Sequence, residues 1–197
     1  MRSALCVLLW LLASPAMADK LSLAELSGYL NSFRTAEGSF TQINEDGTIS
    51  TGQIFLKRPG RVRFEYDPPA DVLVIADGSR VGIVDGKSNT RPEAYPLHRT
   101  PLKIILANNV NLSQARMVTG HSSDGKTTTV RAEDPENPDY GSIELVFTGA
   151  PVELRQWVID SADGTRTTVV LGELTKDVRL ANDRFEIPGL GVETRDR

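Results

Sequence analysis

Short runs of alternating apolar and polar residues, punctuated by Asp-Gly pairs, fill the chain from about residue 40 to residue 171. Asp-Gly occurs at 46–47, 77–78, 85–86, 124–125 and 163–164. Both positions tolerate positive φ, so Asp-Gly between alternating runs predicts a β-hairpin. The flanking runs fit: 40–43 leads into the first pair and 49–56 returns, while 72–76 and 81–84 flank the second. Residues 126–132 follow the fourth pair, and 154–159 meets 165–171 across the fifth. Ile143, Leu145 and Phe147 alternate with Glu144, Val146 and Thr148. The pattern predicts about eleven strands in a sequential meander.

Two stretches, 54–56 and 72–76, are apolar on both faces. Such strands need cover on both sides, which a curved sheet with helices packed in its concavity would supply. Two helices are predicted. The first spans 22–35: Ser22 and Glu25 form a capping box, and Leu26, Leu30 and Phe33 recur at helical spacing. The second starts at Thr100 with Pro101 at N1, carries Leu102, Ile105 and Leu106 on one side, and ends near Asn108 and Asn109. Both are too short to be stable alone and must pack on the sheet. The polar stretch 134–139 reads as a hairpin loop, and no domain boundary is apparent.

The N-terminus changes the accounting. Arg2, the apolar run 4–13 and Ala16-Met17-Ala18 have the form of a secretory signal peptide, so residues 1–18 are expected to be cleaved and 19–197 to form a single exported, soluble domain. Cys6, the one cysteine, lies within that signal, which excludes disulfides, thiolate sites and a lipid-modified cysteine from the mature chain. The net charge of −4 argues against a nucleic-acid partner.

Enzymatic chemistry finds few candidates. His98 and His121 lack metal-ligand spacing and read as surface residues; no metal or other cofactor is expected. Gly120-His121-Ser122-Ser123-Asp124-Gly125 has the wrong spacing for a nucleophile elbow, and no glycine-rich phosphate loop precedes a helix. The arginines after residue 56 are more informative. In 61–66, Val62, Phe64 and Tyr66 share one face, while Arg61, Arg63 and Glu65 face solvent on the other. Arg58, in the turn Lys57-Arg58-Pro59-Gly60, shares strand parity with Ile54 and Leu56 and so belongs to an apolar face. Two readings stand: its fork satisfies exposed backbone carbonyls, as at a helix C-terminus, or it snorkels from a strand end.

The ordered set of Gly38-Ser39-Phe40-Thr41-Gln42, Gly52 through Tyr66 with its Lys57-Arg58-Pro59, Leu73 to Asp77-Gly78, Thr100-Pro101-Leu102 and Phe185-Glu186-Ile187-Pro188 resembles the periplasmic outer-membrane lipoprotein carrier family, LolA. The resemblance covers essentially the whole mature chain. It implies a mainly β fold with α: an unclosed antiparallel barrel of about eleven strands, with two or three helices forming a lid over a hydrophobic cavity. It implies a non-enzymatic periplasmic carrier, a monomer that accepts acylated lipoproteins from an inner-membrane lipoprotein-releasing ABC transporter and delivers them to an outer-membrane receptor. In that likeness Arg58 is the lid latch, and Ile54, Leu56, Phe64, Tyr66, Leu30, Phe33, Leu102 and Ile105 line the acyl-chain cavity. The chain departs from the family in having Tyr66 where tryptophan is usual, and Arg80-Val81-Gly82-Ile83-Val84 where aromatics are common. A lipid- or lipoprotein-sensing module without a ferry role is an alternative, and an exported hydrolase a more distant one.

Overall fold

A computed structural model describes residues 19–88, 90–114 and 116–190, so the signal peptide expected at 1–18 lies outside the described residues. Its central strand is β1 (Thr35–Asn44), which pairs with β2 (Ile49–Lys57) on one side and with the distant β11 (Arg166–Leu171) on the other. From β2 the sheet runs outward through β3 (Arg61–Tyr66), β4 (Val72–Asp77), β5 (Arg80–Asp85) and β6 (Glu93–Pro96). From β11 it runs through β10 (Glu153–Ser161), β9 (Gly141–Thr148), β8 (Thr127–Glu133) and β7 (Val118–Ser123). A short strand, β12 (Thr175–Lys176), pairs with the start of β1. All pairings are antiparallel, and β6 and β7 form the two edges, so the barrel is unclosed. The expected mainly β architecture is therefore present, as two meanders joined through β1 and β11.

The turns follow their chemistry. Gly47, Gly78, Gly125 and Gly164 sit at φ of 79°, 110°, 82° and 86°, as Asp-Gly turns require. The pair at 85–86 differs: it opens a longer connection to β6, and the Gly86 amide donates to the Asp71 carbonyl at 2.7 Å. Helix α1 (Leu23–Asn31) carries the predicted capping box between Ser22 and Glu25, but stops at Asn31 instead of 35. Helix α2 (Leu102–Ile105) is much shorter than the 100–109 span expected, and Pro101 is its N-cap instead of N1. It ends because Leu106 leaves helical geometry and its carbonyl accepts from the Gly60 amide at 2.8 Å.

The sheet is covered on both faces. On the concave side Leu26 and Leu30 of α1 and Leu102, Ile104 and Ile105 of α2 pack on inward residues of the strands. On the convex side the cover is the segment after β12: Leu180, Phe185 and Ile187 close over Ile75, with Phe55, Leu73 and Val84 around them. This explains why 54–56 and 72–76 are apolar on both faces. The interlock is tight, since a Cβ on Gly82 would meet Ile187 Cγ2 at 2.7 Å. It also corrects the expectation for Arg63, whose side chain is only 17 % exposed, pairs with Glu65 and donates to the Arg184 carbonyl at 3.1 Å.

Candidate functional site

The floor of the concavity is an aromatic row. Phe40 of β1 meets Phe64 and Tyr66 of β3 edge-to-face, both at 5.1 Å between ring centres. β2 lies between them, and Gly52 makes the contact possible: a Cβ there would stand 2.8 Å from the Phe40 ring. Phe64 in turn meets Trp157 of β10 at 6.2 Å. Tyr66 Oη donates to Gln42 Oε1 at 2.5 Å, and burial pushes its pKa up to about 12, against the lowering effect of that bond.

One end of the concavity is fastened by Arg58. Arg58 is only 5 % exposed. Its Nη2 donates to the carbonyls of Leu30 and Phe33, which stand at the C-terminal end of α1 where helix carbonyls lack intrahelical donors. Nη1 is 3.4 Å from Asn31 Oδ1, and the charge lies 5.5 Å from the Phe33 ring centre. Among the described residues no carboxylate pairs with it. Burial, then the nearby Arg34 charge, lowers its pKa from the usual arginine value. Of the two readings the parity argument left open, the side chain adopts the one in which its fork satisfies backbone carbonyls.

The same turn reaches the other lid element. Arg58 holds α1, while the Gly60 amide holds Leu106 at the end of α2. Gly60 has φ of 75°, and a Cβ there would lie 2.9 Å from Gly78 Cα, so the position requires glycine. The two lid elements are also tied to each other. Asn31 Nδ2 donates to the Val110 carbonyl at 2.8 Å, and the Val110 amide donates back to Asn31 Oδ1 at 2.9 Å. Ser27 Oγ accepts from the Leu112 amide at 3.0 Å, and Arg34 donates to the carbonyl and Oδ1 of Asn108. α2 is further tied to the loop after β8 by Lys103, which pairs with Asp134. Burial favours protonation of that carboxyl, but its bonds with Lys103, Asn137 and the Glu136 amide outweigh this and hold it below the ordinary 3.8.

Two cavities lie under the lid. The one beside Arg58 is nearly shut, at about 20 Å³, and is walled by Leu30, Phe33, Ile54, Leu56 and Ile105 among others. That is room for little more than one water. The other, of about 630 Å³, opens toward α2 and β6 and takes in Phe64, Tyr66 and Leu102. The eight expected cavity residues are thus divided, five at the closed end and three at the open end. Trp157 borders both cavities and was missed in the sequence, although its alternation with Ile159 in an aromatic-poor chain was a usable signal. Arg99 and Tyr140, 5.5 Å apart as a cation–π pair at the open mouth, were also missed, because they come from irregular segments. His121, read as a surface residue, is half-buried, and its Nε2 bonds the Leu21 carbonyl at 2.8 Å. Among the described residues no cluster of His, Cys, Asp and Glu is placed to hold a metal, and no helix is long and apolar enough to cross a membrane.

Known proteins are similar to this sequence over most of its length. An outer-membrane lipoprotein carrier protein of Pseudomonas syringae is 24% identical over 180 residues, covering 87% of this chain and 86% of the relative. One from Methylibium petroleiphilum is 27% identical over 192 residues, covering 93% and 90%. A solved LolA superfamily protein from Nitrosomonas europaea has a TM-score of 0.43 and 10% identity, covering 85% of this chain and 97% of its own. Residues 31–188 match the family model described as outer membrane lipoprotein carrier protein LolA, and the chain belongs to that family.

Proposed function

We propose that this protein is a periplasmic carrier that shields the acyl chains of lipoproteins and moves them from the inner to the outer membrane. Residues 19–197 act as one exported domain once 1–18 are removed. An inner-membrane lipoprotein-releasing ABC transporter loads the monomer, and an outer-membrane receptor unloads it. The protein carries out no covalent chemistry and binds no nucleic acid or cofactor.

The observation that most supports this is the buried Arg58, bonded to the carbonyls of Leu30 and Phe33 above an apolar cavity that is nearly shut. An acyl chain gains about 0.8 kcal/mol for each CH₂ it takes out of water, so several chains in a rigid, complementary pocket would be held too tightly to release. Opening the closed end requires breaking the bonds of Arg58. A buried cation without a counter-ion regains hydration when the lid lifts, so the closed state is favoured only modestly. The lid is a two-state element, and cargo shifts it toward open. Closure of the lid offsets part of the binding energy and assists release.

Native mass spectrometry of the protein isolated from its own compartment tests this. A population carrying a triacylated lipoprotein is expected. Recovery of the protein with no lipidated cargo, from cells that are exporting lipoproteins, would contradict it.

A further inference from the structure

The wall between the two cavities holds a polar group that no atom of the described residues satisfies. Trp157 is 2 % exposed, and its indole Nε1 is buried without a hydrogen-bond partner among the described residues. Buried donors are almost always paired, and each exception asks for a partner. The side chain borders both the nearly closed cavity and the open one.

The chemistry of the partner is constrained. An indole N–H only donates, so the partner must be an acceptor. The surroundings are apolar: Leu154, Leu171 and Leu174 on the closed side, Phe64 and Val169 on the open side. Of the charged groups on these walls, Arg58 is committed to Leu30 and Phe33, Arg99 lies over Tyr140 at the open mouth, and Asp163, itself an acceptor, is bonded by Thr165. An anion at Trp157 would be buried without a free cation, whereas a neutral carbonyl needs none. The hydroxyl of Tyr66 already donates to Gln42, and that of Thr100 to the Leu97 carbonyl; among the described residues the indole is the one fully buried side-chain donor without a partner.

We infer that Trp157 reads the ester at the head of a bound acyl chain: its indole N–H donates to the ester carbonyl, with hydrocarbon running into the apolar cavity alongside. The inference rests on the carrier function proposed above and adds a specificity to it. The protein prefers ester-linked acyl chains to ether-linked chains of the same length.

The test compares two synthetic probes on the full chain: a diacylglyceryl-cysteine lipopeptide with a free amino group, and its dialkyl ether analogue of equal chain length. One neutral hydrogen bond corresponds to about fivefold tighter binding of the ester. In Trp157→Phe the ester-to-ether ratio should fall to about one, whatever the absolute affinities. In the wild type, the Trp157 indole N–H resonance should move downfield with the ester and not with the ether; Trp10, the only other tryptophan of the sequence, lies in the segment expected to be cleaved. Equal binding of both probes by the wild type would overturn the inference and leave the carrier function standing, with the indole resting on the Phe64 ring. Ester preference that survives in Trp157→Phe would overturn the assignment to this residue. Binding of neither probe would overturn the carrier function and this inference with it.

Discussion

The two covers of the sheet combine packing and hydrogen bonds differently. The convex cover is held mainly by interdigitated side chains, with Phe185 and Ile187 locked into Ile75 and the space left by Gly82, and is reinforced by bonds from Thr35, Lys57 and Arg63 to the carbonyls of Val178, Leu180 and Arg184. The concave lid also buries apolar groups, but its margins are held by hydrogen bonds to backbone: Arg58 to Leu30 and Phe33, Gly60 to Leu106, and Asn31 to Val110. Packed surfaces separate only with loss of contact area and a cavity left behind. Hydrogen bonds can be exchanged for water at small net cost. On the carrier function proposed above, the convex cover fixes the frame and the concave one is the cover that moves against it.

The comparison can be broken first at its rigid side. Phe185→Ala should cost about 3–5 kcal/mol of global stability, as for other buried phenylalanines. Denaturant unfolding should show a lower midpoint, while the folded fraction still takes up lipopeptide. A normal midpoint would mean that the strap is not part of the frame.

A middle-sized effect is expected at the joint between the lid elements. Asn31→Ala leaves the buried Val110 amide and carbonyl without partners, a loss of about 1–3 kcal/mol. Hydrogen exchange should quicken at residues 108–112 more than in α1, because α1 keeps Arg58. Equal loss of protection in both would show that Asn31 does not couple them.

The smallest effect concerns acid. Asp134 has a depressed pKa in the folded protein, so its contribution is complete above the unfolded value of 3.8 and is lost as pH falls through the lower folded value. Lys103→Met removes the leading bond that depresses it. The Tm of this variant should fall less steeply than that of the wild type between roughly pH 5 and pH 2. Parallel slopes would remove Asp134 from the lid's supports.

Much of the frame was legible in the sequence because it rests on local rules. The Asp-Gly pairs, the Ser22–Glu25 capping box and the alternation of Val62, Phe64 and Tyr66 each encode their own geometry. Arg58 was legible through parity with Ile54 and Leu56, a two-residue period that survives into the turn. What escaped depends on distant partners. The pairing of β1 with β11 joins residues such as Phe40 and Leu171, which no short-range pattern connects. β6 is an exposed edge with no apolar alternation. α2 stops early because Gly60, far back in the chain, takes the Leu106 carbonyl. The convex cover comes from an irregular segment whose apolar residues, Leu180, Phe185 and Ile187, follow neither a helical nor a strand period.

The central claim is that the bonds of Arg58 set the balance between a shut lid and a loaded cavity. Arg58→Leu tests it most directly, with loading and release measured separately on purified membranes. The variant should still take up lipoprotein, but hand it to acceptor membranes about tenfold more slowly, the equivalent of one charge-assisted hydrogen bond no longer favouring closure. Transfer at the wild-type rate from a fully loaded variant would contradict the account.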